Sequence, residues 1–202
     1  MKKKLLLVIS IMLCVVCFAA CGKKDEGENV RGAWKDNVYT NEFIDVTFNL
    51  PDKWTYATDE EMNNAFQSTN EVVSENDKVF MEVSELKSLN EMMAQNLYTG
   101  SNVIIAYENL SMTVGGSKMT AEEYLDVVKS QLETVETFKY KIGEASKAKI
   151  GGNEYVTLEV SVDETEIVQL YYIRKVDNYM VNIIVTSSNK DESVASIMEN
   201  FK

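Results

Sequence analysis

The hydrophobic pattern of the chain begins with an apolar run that follows three lysines, Lys2–Lys4. From Leu5 to Ala20 this run is interrupted only by Ser10. A positive start, a short apolar stretch and small residues at its end are typical of a secretory signal peptide. The run is sixteen residues long, whereas a membrane-spanning helix needs about 20. We therefore predict a signal peptide over residues 1–20.

The pattern then becomes polar. Residues 21–32 are rich in charge and glycine and show no apolar periodicity, which is typical of a flexible tether. About ten residues reach at most ~35 Å when fully extended. The remainder, 33–202, is predicted to form one domain close to the membrane.

The first part of this domain has the alternation of β-strands. Ile44, Val46 and Phe48 alternate with polar residues, as in a strand with one buried face. Pro51 ends this strand because proline cannot donate a hydrogen bond to a ladder. The predicted strands are Val38–Tyr39 and Phe43–Leu50, with a turn at Asn41-Glu42.

The pattern is less regular between residues 57 and 110. Thr58 and Glu61 have the spacing of a capping box, which predicts a short helix. Leu89, Met92 and Met93 recur at helical spacing and predict a further helical turn or two. The other predicted segments are a loop at 67–78, a strand at Val79–Val83 and a strand rich in β-branched residues at Val103–Leu110.

The clearest helix is predicted over Thr120–Phe138. Thr120 and Glu123 form a capping box at its start. Apolar residues recur every three or four positions and define one face, whereas the other face is charged. These apolar residues are Tyr124, Leu125, Val128, Leu132 and Val135. The helix is therefore expected to pack on an apolar surface.

Four consecutive strands and a closing helix complete the pattern. The strands are Lys139–Ile150, Asn153–Val162, Glu166–Val176 and Tyr179–Ser187, separated by hairpin-turn residues at Gly151-Gly152, Asp163-Glu164-Thr165 and Asp177-Asn178. The last strand has apolar residues at both its odd-numbered and its even-numbered positions, so both of its faces are expected to be covered. The helix is predicted to start at Asn189 with Glu192 as its capping-box partner. Its apolar stripe is Val194, Ile197, Met198 and Phe201. An antiparallel sheet with helices packed on it is of α+β class.

The residues Phe18-Ala19-Ala20-Cys21-Gly22 resemble the lipobox of bacterial lipoproteins. The resemblance implies that the thiol of Cys21 carries a diacylglyceryl group and that cleavage leaves this cysteine as the first residue. Two acyl chains are sufficient for stable attachment to a membrane. The implied location is the extracytoplasmic face of the cell membrane.

The segment from Phe43 to Trp54, FIDVTFNLPDKW, resembles the opening of a PsbP-like (Mog1/PsbP) domain. The later order of a long helix, a strand meander and a closing helix is also similar to that family, which occurs in small lipoproteins of Gram-positive bacteria. The resemblance covers about 165 residues. It implies an α-β-α sandwich with a central antiparallel sheet. It offers no catalytic motif, and a fold alone does not define an activity.

Composition excludes several classes of function. The chain has 20 basic and 32 acidic residues, and loss of the leader with its three lysines leaves a formal charge of −15. Such a chain is not expected to bind nucleic acid, which requires basic patches. The chain has no histidine, and Cys14 and Cys17 leave with the leader. Histidine-dependent catalysis and the common zinc sites are therefore excluded, and no cofactor is expected beyond the lipid.

Three short motifs resemble known catalytic or binding motifs, but each also has a simpler interpretation as a chance match or a solvated turn. Ser84-Glu85-Leu86-Lys87 matches the serine motif of penicillin-binding enzymes, but the companion K-T-G motif is absent. Asp163–Glu166 offers oxygen ligands to Ca²⁺ but lacks the spacing of a calcium loop. Gly115–Lys118 resembles part of a phosphate loop without the rest of the motif. We interpret them as chance matches or solvated turns and predict no catalytic or metal-binding residue.

Aromatic residues are the remaining candidates for a binding surface, because aromatic rings anchor many interfaces. Most aromatic residues are nevertheless expected to be buried in the core. They fall into two groups, Trp34, Tyr39, Trp54 and Tyr56 near one end of the fold and Tyr171, Tyr172 and Tyr179 in adjacent strands.

The leading hypothesis is a non-enzymatic, lipid-anchored envelope protein that binds a protein or an envelope component. One alternative is a small-solute-binding lipoprotein of a transporter, which a deep apolar pocket would favour. Another is a hydrolase that uses carboxylates alone, which two facing carboxylates, one with a raised pKa, would favour. An exposed apolar patch would favour a protein partner.

Overall fold

The computed structural model describes residues 30–62, 64, 88–112, 115–134, 139–188 and 192–202. The signal peptide, Cys21 and the tether up to residue 29 lie outside these ranges. So do the predicted loop at 67–78, the predicted strand Val79–Val83 and the Ser84-Glu85-Leu86-Lys87 motif.

Within the described ranges the strands form two antiparallel sheets. The small sheet has the order β1 (Ala33–Lys35), β2 (Val38–Asn41) and β3 (Val46–Asn49). The large sheet begins with β4 (Trp54–Tyr56), β5 (Ser88–Asn96) and β6 (Asn102–Asn109) and continues with β11 (Tyr179–Ser187), β10 (Val168–Val176) and β9 (Asn153–Val162). Two short strands, β7 (Tyr140–Ile142) and β8 (Ser146–Ile150), share the outer edge of β9.

Helices cover both faces of the large sheet. On one face, α1 (Ala121–Thr134) buries Tyr124, Leu125 and Val128 against β9, β10 and β11. On the other face, the small sheet and α2 (Val194–Met198) share a second core. The α+β fold class with a central antiparallel sheet between helical layers is therefore confirmed. The sequence pattern did not indicate that a second sheet occupies part of one layer.

The central strand β11 contributes to both cores. Val181, Ile183 and Val185 face the small sheet, whereas Met180 and Ile184 face α1. The prediction that both faces of this strand are covered is confirmed. The predicted turns are also present, with Gly151, Glu164 and Asp177 at positive φ. Two of the three predicted capping boxes are formed, by Thr58 with Glu61 and by Thr120 with Glu123. Asn189, which was predicted to form the third with Glu192, lies outside the described residues.

The helical turn predicted from Leu89, Met92 and Met93 is wrong, because these residues lie in β5. A β-bulge between Asn90 and Met92 shifts the register by one residue. Leu89 and Met92 therefore pack on the same core although they are three positions apart. A bulge imitates helical spacing in this way because it interrupts the period of two.

Three element boundaries also differ from the sequence prediction. Residues 43–45 form a turn rather than the start of β3, and Asp45 has a φ of 53°. The strand predicted at Lys139–Ile150 is divided by an irregular segment that begins at Gly143. The last helix begins at Val194 rather than near Asn189, because the side chain of Ser193 caps it by accepting the Ser196 N–H.

Candidate functional site

The loop between β5 and β6 presents two large apolar side chains to solvent. We call Leu97–Gly100 the hairpin tip. Leu97 is 59% exposed and Tyr98 is 75% exposed, the highest values among the large hydrophobic side chains of the described ranges. Exposed Leu and Tyr side chains on neighbouring positions are a candidate contact surface.

The backbone of the hairpin tip is fixed by local hydrogen bonds. Asn96 Oδ1 accepts the backbone N–H of Tyr98 at 2.9 Å, and Gly100 N–H donates to Asn96 O at 2.8 Å. Gly100 has a φ of 87°, a conformation that glycine adopts without a steric penalty. Ser188 Oγ also donates to Thr99 O at 2.6 Å. The loop is therefore held in one conformation from both sides.

The carboxylate of Glu192 is hydrogen-bonded to the hairpin tip and to the residues beside it. It accepts hydrogen bonds from Thr99 Oγ1 at 2.6 Å, Trp54 Nε1 at 2.8 Å and Asn96 Nδ2 at 3.1 Å. Burial raises the pKa of Glu192, but the hydrogen bonds from Thr99, Trp54, Ser101 and Asn96 outweigh burial and lower the pKa below 4.5. A loop fixed in this way loses little conformational entropy when it binds.

The lowered pKa of Glu192 leads to a prediction on stability. A group with a depressed folded-state pKa contributes stability above its unfolded-state pKa, and this contribution is lost as the pH falls through the folded-state value. We expect Glu192→Gln to lower the free energy of unfolding by about 1 kcal/mol at pH 7. Its difference from the wild type should shrink below pH 4.5. Urea unfolding at pH 7 and pH 3.5 measures both values, and an unchanged difference would contradict the charged-carboxylate interpretation.

A second polar cluster lies at the first half of β5, around Glu91, where the tether joins the domain. We call it the tether clamp, and it consists of Val30, Arg31, Gly32, Tyr39, Asn41, Glu91 and Tyr107. Glu91 Oε1 accepts hydrogen bonds from Gly32 N–H and from Tyr39 Oη, the latter at 2.8 Å. Asn41 Nδ2 donates to Val30 O at 3.0 Å and to Tyr107 Oη at 2.9 Å. These bonds hold residues 30–32, the end of the predicted tether, against β2 and β5.

The bulge in β5 and a glycine make the tether clamp possible. Glu91 occupies the bulge and points towards the small sheet, where its side chain is 1% exposed. A Cβ at Gly32 would lie 2.6 Å from the ring and hydroxyl of Tyr39. A larger residue at position 32 would therefore push the chain out of reach of Glu91.

Burial dominates the electrostatics of the tether clamp. It raises the pKa of Glu91, and the bonds from Gly32 and Tyr39 and the charge of Arg31 offset burial only in part. Burial also raises the pKa of Tyr39 and Tyr107, and the nearby Glu91 raises both further. Glu91 Oε2 has no hydrogen-bond partner among the described residues, and Arg31 Nη1 lies 3.9 Å away.

Within the described ranges, Glu91 does not face a second buried carboxylate. Glu108, on β6, accepts a hydrogen bond from Tyr124 Oη at 3.0 Å on the α1 side of the large sheet. Glu91 lies on the other side, beside Tyr39. The sheet therefore separates these two carboxylates, which do not form the facing pair that a carboxylate hydrolase requires.

The two loop motifs within the described ranges form a turn at residues 163–165 and a 3-10 helix at Gly116–Lys118. Asp163 forms an ion pair with Lys141 at 2.7 Å beside a surface depression of about 330 Å³. In the part of the chain that the structure describes, no three acidic or cysteine side chains converge on a possible metal site. At Gly115–Lys118, the carbonyl of Ser117 accepts a hydrogen bond from Lys175 Nζ at 2.6 Å. The charged partner of this loop is therefore Lys175, a side chain of the same chain.

Most of the predicted aromatic candidates belong to the two cores. Trp34 stacks on Tyr56 with ring centroids 4.3 Å apart, and Tyr39 is buried in the tether clamp. Tyr171 and Tyr172 face opposite cores. The remaining two, Trp54 and Tyr179, pack against Phe48 and Phe43.

Leu97 and Tyr98 were not among the predicted candidates. The signal for the loop is present in the sequence, because Asn96 and Thr99-Gly100-Ser101 are turn residues between two apolar runs. The exposure of the apolar pair has no such signal, because apolar residues are expected in a core.

No protein-family model and no curated protein sequence matches this chain. The solution structure of cyanobacterial PsbP (CyanoP) from Synechocystis sp. PCC 6803 matches it with a TM-score of 0.47 and 12% identity, over 91% of this chain and 97% of that chain. The crystal structure of LpqN, involved in cell envelope biogenesis of Mycobacterium tuberculosis, matches with a TM-score of 0.43 and 12% identity, over 78% and 82%. Both TM-scores are below 0.5, so neither likeness bears on the activity of this chain. Among the described residues, no helix is both long and apolar enough to cross a bilayer.

Proposed function

We propose that this chain is a lipid-anchored extracytoplasmic binding protein with no catalytic role of its own, and that the hairpin tip is its contact surface. The observation that carries the proposal is the exposed pair Leu97 and Tyr98 on a loop that Asn96 and Glu192 hold in place. A soluble domain gains no stability from such exposed apolar side chains. Their burial in a partner contributes about 1.5–3 kcal/mol for a leucine-sized side chain.

The lipid anchor on Cys21 makes this modest contact surface effective. Val30 is nine positions after Cys21, so the tether spans at most ~32 Å. A tether of this length confines the domain to a thin layer above the membrane and raises its effective concentration towards any partner in the same layer. A contact that is weak in solution therefore becomes sufficient at the envelope.

The anchor is tested by Cys21→Ser, with Cys17→Ser as the matched control within the same leader. We expect Cys21→Ser to abolish metabolic labelling with a fatty acid, and to release the protein or leave an uncleaved precursor. Cys17→Ser should remain labelled, processed and membrane-bound. The lipid is the only tie to the membrane that we propose, so a processed, membrane-bound Cys21→Ser protein would overturn the proposal.

A further inference from the structure

The hairpin tip follows the last residue of β5, whereas the tether clamp is bonded to Glu91 in the first half of the same strand. Leu97 is six residues beyond Glu91, and a strand advances about 3.3 Å per residue. The two sites are therefore separated by roughly 20 Å along the sheet.

This separation gives the anchored domain a preferred orientation. The lipid anchor is connected to the folded domain at the tether clamp, because residues 30–32 are bound there. The formal charge of −15 expected for the mature chain repels an anionic membrane surface. The point of attachment keeps the clamp end nearer to the membrane on average, and the repulsion keeps the rest of the domain, including the hairpin tip, away from the surface.

The chemistry of the hairpin tip limits the kind of partner it fits. Residues 96–101 carry no charge, so they offer no ion pair to an anionic polymer or a cationic surface. Leu97 and Tyr98 are exposed at the end of the β5–β6 hairpin, and a hairpin end with two exposed apolar side chains fits a concave apolar pocket. The phenol hydroxyl of Tyr98 additionally needs a polar group at the pocket wall.

We infer that the hairpin tip is the membrane-distal end of the domain and that it inserts Leu97 and Tyr98 into an apolar pocket of a protein partner. The partner approaches from the side that faces away from the membrane. This inference rests on the proposed function, because the orientation requires the lipid on Cys21.

The orientation is tested with the lipidated protein reconstituted in vesicles of phosphatidylglycerol and phosphatidylethanolamine. The thiol of Cys21 is blocked by its lipid, so a cysteine introduced as Tyr98→Cys or Asn178→Cys is the only one that a fluorophore labels. Asn178 is exposed in the β10–β11 turn, which lies at the clamp end of the sheet. We expect energy transfer to an acceptor lipid to be stronger from position 178 than from position 98.

Equal or stronger transfer from position 98 would overturn the inference and would instead indicate that the hairpin tip contacts lipid. A protein that fails to attach to the vesicles at all would overturn the proposed anchor, and the inference with it. The two failures are therefore distinguishable in one experiment.

The partner is tested by a photo-crosslinking amino acid at position 98 in intact cells, with position 178 as the matched control. We expect a discrete protein adduct from position 98 and at least about tenfold less of it when Leu97→Asp is combined with the probe. Leu97→Asp should leave the unfolding midpoint unchanged, since Leu97 is exposed. A lipid adduct, an adduct of two copies of this chain, equal yields from both positions, or no adduct would each overturn the inference.

Discussion

Replacement of Glu91 by alanine is expected to lower the free energy of unfolding by about 3 kcal/mol. The substitution removes the acceptor for Gly32 N–H and Tyr39 Oη, both of which are shielded from water. A buried donor that loses its acceptor costs about 1–3 kcal/mol. The loss is limited because Asn41 still contacts the hydroxyls of Tyr39 and Tyr107.

The variant Glu91→Gln separates the role of the hydrogen bonds from that of the charge. Glutamine retains the volume and one carbonyl acceptor but does not titrate. The folded-state pKa of Glu91 is raised above 4.5, so the folded protein binds the proton more tightly than the unfolded chain does. The stability that this proton provides is complete below pH 4.5 and is lost as the pH rises through the folded-state pKa.

Urea unfolding of the wild type, Glu91→Ala and Glu91→Gln between pH 4 and pH 8 measures both effects. We expect the wild type to lose stability relative to Glu91→Gln as the pH rises above 4.5, the opposite direction to Glu192. We also expect Glu91→Ala to increase proteolysis near residues 30–32, because the tether clamp no longer holds them. A wild type that gains stability relative to Glu91→Gln over this range would show that Glu91 is ionised and stabilised by Arg31.

The hydrophobic pattern predicted the elements whose signals are local. The capping boxes, the hairpin turns and the two-sided apolar pattern of β11 each depend on residues a few positions apart. Each of these interactions lies within one helix turn or one hairpin, and the structure confirms the capping boxes that begin at Thr58 and Thr120 and the predicted hairpin turns. The α+β class follows from the same local signals, because their order along the chain limits the possible layers.

The features that define the candidate sites depend on contacts between distant residues. Glu91 lies within the segment predicted as a helical turn, and it is buried because Tyr39 and Asn41 approach it from about fifty positions away. The bulge that places it carries no glycine or proline as a marker. Glu192 was similarly assigned to a helix cap, but its carboxylate is bound by Trp54 and Thr99. Only the folded chain brings these groups together.

A second large effect is expected for substitutions in β11, where neighbouring residues belong to different cores. Ile183 packs on the side of the small sheet and Ile184 on the side of α1, and both are fully buried. Truncation of a buried isoleucine to alanine costs about 2–5 kcal/mol, because it removes apolar contacts and leaves a cavity. We therefore expect Ile183→Ala and Ile184→Ala each to destabilise the domain by about 3 kcal/mol.

The equality of these two effects is the informative result. In a sheet with one solvated face, two consecutive positions differ sharply, because only one of them is buried. Glu159→Ala provides the control, since Glu159 is exposed on β9 and should change the free energy of unfolding by less than about 0.5 kcal/mol. If Ile184→Ala proved as mild as Glu159→Ala in urea unfolding, α1 would not cover that face of the sheet. The arrangement of α1 and the small sheet on opposite faces of the large sheet would then be wrong.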